Sequence, residues 1–420
     1  MSLPWAEPFA TALGLRHEPG LVLLESMPGY GDLGARSYLA ARPAEVATGG
    51  MRAVGRLGND WWAGWLSYDL GREIEKLPVA AVDDLRLPPV ALGRFEAWLE
   101  WDHDRRTVQL HGDGDASHLL RALANPTASA PLHEPLTKWD SSLPRRDYEQ
   151  AVRSAIDYIR AGDVFQANLS QRLGAEWQGD PFALYARLRQ ASPAPFMALV
   201  RLGGADVISA SPERFLSRRG ARIETRPIKG TRPRATELAE DRRQALALRS
   251  SAKDRAENVM IVDLARNDLG RVAAYGTVEV AQLCALESHP GLHHLVSTVE
   301  ARLRPGVSVA DIVRATFPPG SVTGAPKIRA LEIIEELEPV RRGPYCGAIG
   351  CFAPGGDFDL SVVIRTFVAA RGRLHLHVGG AVVADSDPAL EWRETMHKAA
   401  RLLAAAGGSV REREQVALAS

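Results

Sequence analysis

The sequence has little that would cross-link the chain or hold it in a membrane. Its 420 residues include three cysteines, Cys284, Cys346 and Cys351, which are too few and too scattered for a disulfide framework or a zinc site. No run of about 18 apolar residues occurs, and the N-terminal residues lack the basic and apolar regions of a secretion signal. These absences argue against a disulfide-rich secreted protein and a helical membrane protein, and they favour a soluble cytoplasmic one.

Charge of either sign is not in excess, and lysine is scarce. Lysine and arginine together number 51, as do aspartate and glutamate, so the formal net charge is zero. A nucleic acid or an anionic membrane held by bulk charge is therefore not expected as a partner. Only six residues are lysine, so lysine is not the default base of this chain. One of them, Lys229, lies between Ile228 and Gly230.

The surroundings of Lys229 favour an unusual amine. Three arginines stand close in sequence, at Arg226, Arg232 and Arg234. Neighbouring positive charge and partial burial both disfavour a protonated lysine, so both lower its pKa toward that of a nucleophile. The alternative is an ordinary surface lysine whose charge is solvated.

The pattern of apolar residues predicts strands in both halves of the chain, with helices interspersed along the sequence. Short apolar runs at 21–24, 63–68, 94–101 and 107–111 are typical of an antiparallel sheet. Asp147 can cap a helix that ends at Gly162, and a long helix is predicted from about 237 to 264. Further strands are predicted at 207–209 and 222–225. Strands in both halves of the chain indicate stacked sheets covered by helices.

The composition predicts a linker that joins two parts of the chain. A segment rich in Pro, Ser, Thr and Ala at 121–144 is the predicted linker between an N-terminal part, 1–120, and a larger part, 145–405. Residues 406–420 are predicted to be a tail. We expect the two parts to pack as one unit.

Two glycine-rich stretches look like nucleotide-binding loops and lack the required context. Residues 29–34 match G-x-G-x-x-G, but little helical amphipathicity follows them. In residues 320–327 the lysine follows proline and precedes isoleucine, so the stretch is not a Walker motif.

Two pairs of carboxylates have helical spacing. Asp254 and Glu257 are three residues apart, as are Glu391 and Glu394, so each pair projects to one side of its helix. Oxygen donors without His or Cys suit Mg²⁺. The alternative is two solvated helix faces. Glu213 follows Ser211 and Pro212 in a turn-like setting, where a surface salt bridge to Arg214 is the default interpretation.

Six stretches of the sequence occur in the same order as the motifs of a known family. They are Ser-Pro-Glu-Arg-Phe at 211–215, Pro-Ile-Lys-Gly-Thr-Arg at 227–232, Asp-Arg-Ala-Glu-Asn at 254–258 with Arg-Asn-Asp-Leu-Gly at 266–270, Gly-Ser-Val-Thr-Gly-Ala-Pro-Lys at 320–327, Ile-Arg-Thr at 364–366, and the segment 379–394. With this set the chain resembles the chorismate-utilising enzymes over roughly 145–400. The resemblance implies an α/β (α+β) fold, a four-layer α/β/β/α sandwich of two stacked, mainly antiparallel sheets covered by helices.

The resemblance also implies a role for each matching residue. Lys229, Glu213 and His294 match catalytic positions, with Lys229 as nucleophile and Glu213 as general acid or base. Asp254, Glu257, Glu391 and Glu394 match magnesium carboxylates, although relatives often have Glu at the position of Asp254. The matching substrate contacts are Gly230, Thr231, Ser321, Tyr345, Arg365, Gly379, Gly380, Ala381 and Lys398, with Ala381 where relatives often have glycine. A candidate tryptophan pocket consists of Ser26, Arg36, Pro195, Phe196 and Met197.

The lysine within Pro-Ile-Lys-Gly-Thr resembles the branch of the family that forms 4-amino-4-deoxychorismate from chorismate and ammonia, a transaminase-type step toward p-aminobenzoate and folate. No cysteine lies in a Gly-x-Cys-x-Gly elbow, so the resemblance implies a separate glutamine amidotransferase that supplies ammonia. Anthranilate synthases resemble Pro-Ile-Ala-Gly-Thr and remain the nearest alternative, with isochorismate synthases further away. A non-catalytic tryptophan sensor is the alternative from another class, although such a sensor would not need four carboxylates.

Overall fold

A computed structural model describes residues 3–130, 136 and 138–407. Parts of the predicted linker and tail, 131–135, 137 and 408–420, lie outside the described residues. The helices are α1 Pro8–Leu13, α2 Met51–Val54, α3 Gly71–Ile74, α4 Ser117–Ala124, α5 Arg145–Ala161, α6 Pro181–Ala191, α7 Leu238–Ser250, α8 Ala252–Gly270, α9 Val309–Thr316, α10 Lys327–Leu337 and α11 Pro388–Ala405.

The strands form two antiparallel sheets. They are β1 Val22–Glu25, β2 Arg36–Ala40, β3 Glu45–Ala47, β4 Trp61–Leu66, β5 Val90–Phe95, β6 Ala97–Asp102, β7 Thr107–Gly112, β8 Asp140–Ser141, β9 Gln166–Glu176, β10 Phe196–Leu202, β11 Ala205–Ser211, β12 Arg214–Arg219, β13 Arg222–Arg226, β14 Ile228–Pro233, β15 Glu279–His289, β16 Leu292–Arg302, β17 Gly324–Ala325, β18 Ala348–Phe352, β19 Phe358–Val362, β20 Thr366–Ala370 and β21 Arg373–Val382.

Each sheet draws strands from both halves of the chain. The first runs β17-β9-β21-β20-β11-β10-β1-β2-β6-β7, with β8 beside β9. The second runs β14-β16-β13-β12-β19-β18-β4-β5-β3, with β15 beside β16. The N-terminal strands β1 and β4 pair with the C-terminal strands β10 and β18. The two halves therefore share both sheets.

The strand β4 shows how the layers stack. All six of its residues are buried, which an apolar strand achieves only when both faces of its sheet are covered. Trp61 and Trp65 belong to the apolar core between the two sheets. Trp62 and Leu66 point the other way, into a core shared with α2, α8 and α9. Helices α1, α4, α5, α6 and α11 cover the outer face of the first sheet. The predicted four-layer α/β/β/α sandwich is confirmed.

Several predicted boundaries were wrong. The long helix expected at 237–264 is two helices, because the Ser251 side chain accepts a hydrogen bond from the Asp254 backbone N–H and caps α8 there. Asp147 does not cap α5, which begins at Arg145 after Pro144. Its predicted end is confirmed, since Gly162 adopts the left-handed conformation (φ 87°) of a helix C-cap.

The expected strand at 94–101 is also interrupted. β5 ends at Phe95 and belongs to the second sheet, whereas β6 starts at Ala97 and belongs to the first. The predicted linker overlaps the end of α4 and contains β8, which pairs with β9. Among the described residues, no helix is long and apolar enough to cross a lipid bilayer.

Candidate active site

A β-bulge places Lys229 in the site. In the pairing of β14 with β16, Ile228 faces Val296 and Thr231 faces His294, so β14 carries one extra residue between these pairs. A bulge of this kind bends the strand and redirects the side chains within it. Gly230 takes up the turn with a φ of 88°, a conformation that favours glycine. Lys229 thus leaves the regular alternation of the strand.

Close packing against α8 is a second reason for glycine at 230. A Cβ at Gly230 would lie 2.9 Å from Asp254 Cβ and 3.0 Å from Leu248 Cδ1. Both distances are shorter than ordinary van der Waals contact, so any larger residue would push the bulge away from the helix. Gly230 therefore fixes the distance between the strand that carries Lys229 and the helix that carries Asp254.

The Glu213 carboxyl takes up and releases its proton near neutral pH. It lies between β11 and β12 and is 5% exposed. Burial raises its pKa to about 7, against the opposing effects of the Ser321 hydroxyl, the Lys229 ammonium, the Ile228 backbone N–H and the Arg365 guanidinium. A carboxyl with a pKa near the working pH suits general acid and base catalysis.

The pKa of Lys229 is lowered, as the sequence predicts, but the charges around it differ from those expected. Burial is the main cause, and Lys398 adds to it. Glu257, Glu213 and Glu394 oppose the decrease. Two of the nearby arginines have acidic partners instead. Arg232 pairs with Asp254 at 3.0 Å, and Arg226 pairs with Glu287.

Glu391 and Glu394 converge above the backbone of β21. A Cβ at Gly380 would lie 3.3 Å from Glu391 Oε2 and 3.8 Å from Glu394 Oε1, so any side chain there would fill the space between the two carboxylates. Glu391 Oε1 accepts a hydrogen bond from the Ser386 hydroxyl at 2.6 Å. Its Oε2 is buried with no hydrogen-bond partner. A buried carboxylate oxygen without a partner is costly unless a ligand satisfies it.

Glu257 approaches the same region from α8. Burial raises its pKa, and the nearby carboxylates of Asp254 and Glu394 raise it further, against Lys229 and Lys253. The described residues contain no group of three or more His, Cys, Asp or Glu side chains close enough to enclose a metal ion. Asp254 is also engaged with Arg232. The fit to Mg²⁺ therefore rests on few carboxylates, an arrangement that Mg²⁺ accepts when water and substrate oxygens complete its shell.

His294 lies beside the bulge as a neutral imidazole. Its Nδ1 is 3.0 Å from the Thr231 hydroxyl oxygen. Burial lowers its pKa to about 3, with further decreases from Arg365 and His289. A neutral ring can orient a ligand by hydrogen bonding, but it does not supply positive charge to a carboxylate.

Arg365 and Tyr345 form the other side of the candidate substrate region. Arg365 has a φ of 52°, precedes β20 and is near enough to Glu213 and Tyr30 for their charges to affect its pKa, which burial lowers. Tyr345 is 7% exposed, and its ring stacks on His377 with centroids 4.9 Å apart. The ring of Tyr345 is thus held by stacking, and Arg365 is placed near Glu213.

The predicted contacts on β21 and α11 are linked to each other. Lys398 Nζ lies 2.7 Å from Glu394 Oε1 and donates to the Gly379 carbonyl oxygen at 2.9 Å. Ala381 is opposite Asn168 in the pairing of β21 with β9. The structure brings Lys398 to the predicted metal carboxylate Glu394, and its contact with substrate stays a prediction.

The residues of the candidate tryptophan pocket all line one cavity. A cavity of about 140 Å³ lies between the two sheets, and its walls include Ser26, Arg36, Pro195, Phe196 and Met197. Arg214 and Asp359 also line it and form a salt bridge at 2.9 Å. Arg214 therefore pairs with Asp359, and Glu213 is a buried acid rather than the surface partner of its neighbour.

Sequence reasoning missed two buried ion pairs beside the site. Lys327 Nζ lies 2.5 Å from Asp268 Oδ2, and Arg342 lies 2.6 Å from Glu338. A signal for the Lys327–Asp268 pair was present in the sequence. Lys327 is one of only six lysines, and it ends the glycine-rich stretch 320–327, which was rejected as a phosphate loop. Its partner lies 59 residues away, a distance at which spacing carries no information.

Comparisons with known proteins match the chain along most of its length. A family model described as chorismate binding enzyme matches residues 35–404. Aminodeoxychorismate synthase component 1 of Salmonella typhimurium is 46% identical over 341 residues, which cover 81% of this chain and 75% of that protein. Anthranilate synthase component 1 of Thermus thermophilus is 44% identical over 352 residues, with 81% and 76% covered.

A solved structure agrees with the fold. Anthranilate synthase component I from Streptococcus pneumoniae superposes with a TM-score of 0.79 at 30% sequence identity and covers 90% of this chain and 93% of its own. The described sandwich is thus shared with an enzyme whose sequence is substantially different.

Proposed function

The chain belongs to the chorismate-binding enzyme family, and from that premise we propose that it converts chorismate and ammonia to 4-amino-4-deoxychorismate as component 1 of an aminodeoxychorismate synthase. The similarity to aminodeoxychorismate synthases supports the proposal. The observation that carries it is Lys229, a partly exposed lysine whose pKa is lowered mainly by desolvation of its amine and which shares its site with Glu213. An enzyme that adds ammonia directly would not need this amine.

The two side chains divide a substitution into two easier steps. Lys229 Nζ forms a bond to C2 of the ring, the ring double bond shifts, and the C4–O bond breaks. The Glu213 proton leaves with the hydroxyl as water. Ammonia then forms a bond to C4, the double bond returns, and the C2–N bond to Lys229 breaks. Lys229 leaves as a neutral amine, and the new C4 ammonium group gives one proton back to Glu213. Chorismate and ammonia therefore yield the product and one water.

Glu257, Glu391 and Glu394 are the residues that would hold Mg²⁺, with water or substrate oxygens between some of them and the ion, since the three carboxylates do not enclose an ion by themselves. The unpartnered Glu391 Oε2 and the space above Gly380 support this assignment. When bound, the ion would neutralise the ring carboxylate of the substrate and favour charge that develops next to it. Asp254 is proposed to act only through water, because Arg232 holds its carboxylate.

The remaining residues position the substrate. Chorismate has two carboxylates, and a planar guanidinium such as Arg365 binds a carboxylate through two parallel hydrogen bonds. Thr231 and the neutral His294 add hydrogen-bonding groups beside Lys229.

Anthranilate synthesis is the second candidate, because relatives of that activity are 44% identical and one shares the fold at 30% identity. That reaction places ammonia at C2 without a lysine nucleophile. The two candidates differ in product, so a chemical identification separates them.

Purified chain supplied with chorismate, Mg²⁺ and an ammonium salt should form 4-amino-4-deoxychorismate as its main product. The reason is that the Lys229 amine occupies C2 and leaves C4 for ammonia. The product can be identified by liquid chromatography and mass spectrometry, with anthranilate as the reference for the alternative. Anthranilate as the main product would refute the proposal.

Replacing ammonium with glutamine is the matched control for the partner. We propose that a separate glutamine amidotransferase supplies ammonia, as the words "component 1" in the names of the relatives suggest. Glutamine should therefore give no product with this chain alone and should give product once an amidotransferase is added. Turnover of glutamine by the chain alone would contradict the need for a partner.

The rate should depend on pH in a bell shape whose acidic limb reports Glu213. Below about pH 7 both Glu213 and Lys229 are protonated, so the amine is not nucleophilic. The productive form of the pair has a proton on Glu213 and a neutral Lys229 amine. At higher pH the pair also loses this remaining proton, at a pH below the ordinary lysine value of 10.5, and no acid remains.

The measurement is kcat/KM for chorismate at constant un-ionised ammonia, which removes the titration of the second substrate. We expect an increase up to about pH 7 and a decrease on the alkaline side. Glu213→Gln should lower the rate and move the acidic limb to higher pH, where Lys229 alone loses its proton. An acidic limb that stays at the same pH in Glu213→Gln would rule out this assignment.

We also propose tryptophan as the occupant of the cavity between the sheets. The cavity combines Pro195, Phe196 and Met197 with the polar groups of Ser26 and Arg36, which suits an amino acid that has an apolar ring and two charged groups.

A further inference from the structure

Two buried ion pairs hold one short segment of chain beside Glu213. The segment, residues 316–327, is called here the Ser321 loop. At its ends, Lys327 Nζ donates to the Thr316 carbonyl oxygen at 2.8 Å and to Asp268 Oδ2 at 2.5 Å. Lys327 therefore closes the loop and ties it to α8.

A second pair holds the middle of the Ser321 loop. Arg342 donates to the Val322 carbonyl oxygen at 3.0 Å and to Glu338 Oε2 at 2.9 Å. It also donates to the Asn168 carbonyl oxygen at 2.6 Å, which connects the loop to β9. The loop is thus fixed at both ends and near its centre.

The burial of these charges requires an explanation other than stability. The side chains of Lys327 and Asp268 are 12% and 9% exposed. Apolar residues of similar volume often stabilise a protein as well as or better than a buried ion pair, because both charges lose their hydration. An ion pair does give a defined geometry, since its hydrogen bonds fix direction as well as distance.

The geometry that the pair defines includes the acid. Ser321 lies within the loop and is 7% exposed, and its hydroxyl lies near enough to the Glu213 carboxyl to lower the pKa of that acid. A cavity of about 30 Å³ is lined by Glu213, Asp268, Thr316 and Ser321. This space is close to the volume of a single water. The acid, the serine and the two residues that accept hydrogen bonds from Lys327, Asp268 and Thr316, therefore line one cavity.

We propose that Lys327 is a positioning residue, which holds the Ser321 loop through Asp268 and Thr316 so that the Ser321 hydroxyl stays on the Glu213 carboxyl. This role rests on the proposed function, because it concerns the acid of that reaction. Lys327 does not touch substrate in this role, and it acts only through Ser321.

The groups that face Glu213 determine the direction of the expected change. Lys229 on β14, Arg365 before β20, and the Ile228 backbone N–H and Ser321 hydroxyl all favour its ionised form. Cys346 faces it from the chain before β18, and a Cys346 thiolate would repel its charge. Asp268 lies across the cavity and is neutralised by Lys327. Loss of Lys327 would remove the contact of Ser321 with Glu213 and leave Asp268 unpaired, and both changes raise the pKa of Glu213.

The test compares Lys327→Met, Ser321→Ala and the double variant in the ammonium-dependent reaction. Each single variant should move the acidic limb of kcat/KM to higher pH and lower kcat/KM at pH 7 by about 10- to 100-fold, the cost typical of losing a supporting group. The double variant should move the limb little further than Lys327→Met does, because the serine contact is already lost. Fully additive shifts would overturn the proposal.

Two further variants separate positioning from general support of the fold. Lys327→Arg keeps the charge and should restore most of the limb position, whereas Lys76→Met removes an exposed lysine and should change nothing. If Lys327→Met does not fold, the double variant Lys327→Met, Asp268→Asn takes its place. It removes both charges of the pair and should still shift the limb to higher pH, through the loss of the serine contact. A folded enzyme of either kind with an unmoved limb would refute the role.

Failure of this inference can be told apart from failure of the proposed function. A wild-type enzyme that forms no 4-amino-4-deoxychorismate would refute the function. If the wild type forms this product but the acidic limb of the Lys327 variants does not move, only the positioning role is refuted.

Discussion

Replacing Lys229 with alanine should reduce formation of 4-amino-4-deoxychorismate by more than about 10³-fold, because the variant lacks the group that forms the covalent intermediate. The bulge, Glu213 and Arg365 would remain in place, so chorismate should still bind. Initial rates with ammonium, measured by mass spectrometry of the product, give the size of the loss. Undiminished formation of the same product would refute the covalent mechanism.

The same variant offers a direct readout of the adduct. Wild-type enzyme mixed with chorismate in the absence of ammonia should carry added mass on the peptide that contains Lys229, and Lys229→Ala should not. Lys76→Ala, which removes an exposed lysine, is the matched control and should retain both adduct and activity. Without its lysine the site keeps the features of an anthranilate-type centre, so a small amount of amination at C2 is also expected.

Much of the site could be predicted because its chemistry lies in local motifs. The scarcity of lysine singled out Lys229, and the spacing of Glu391 and Glu394 placed them on one side of α11. The redirection of Lys229 could not be predicted in the same way. It depends on a bulge against β16, more than sixty residues further along the chain, and on the contact between Gly230 and Asp254.

The errors in the fold have a common physical origin. Residues 237–264 contain enough helix-forming residues to suggest one helix, and only the Ser251 cap divides them. The apolar pattern of 94–101 continues across Glu96, where the chain passes from one sheet to the other. In both places a single residue between two regular elements decides the structure, and periodicity averages over it.

The electrostatics differed from expectation for a related reason. The sequence suggested that Arg226 and Arg232 would lower the pKa of Lys229, but each has an acidic partner, Glu287 or Asp254. Proximity in sequence does not give proximity of free charge. Burial, which depends on the whole fold, is the larger cause of the lowered pKa.

Removing a carboxylate from the proposed Mg²⁺ site should cost almost as much as removing Lys229. Glu257→Ala and Glu394→Ala should each reduce turnover by about two to three decades, the scale of one important electrostatic stabiliser. The substrate carboxylate would lose the cation that offsets its charge. The loss should be the same with ammonium and with glutamine plus an amidotransferase, because both routes use this site.

Asp263→Ala provides a control on the same helix as Glu257. Asp263 lies on α8, is exposed and pairs with Arg266 one turn away, so its loss should leave turnover and Mg²⁺ dependence unchanged. Wild-type activity should disappear in EDTA and return with Mg²⁺, and Mg²⁺ should raise the melting temperature of wild type more than that of Glu394→Ala. Full activity in EDTA would exclude the metal. Glu257 and Glu394 near Lys229, and Glu391 near Lys398, would then serve only to balance the charge of the lysines.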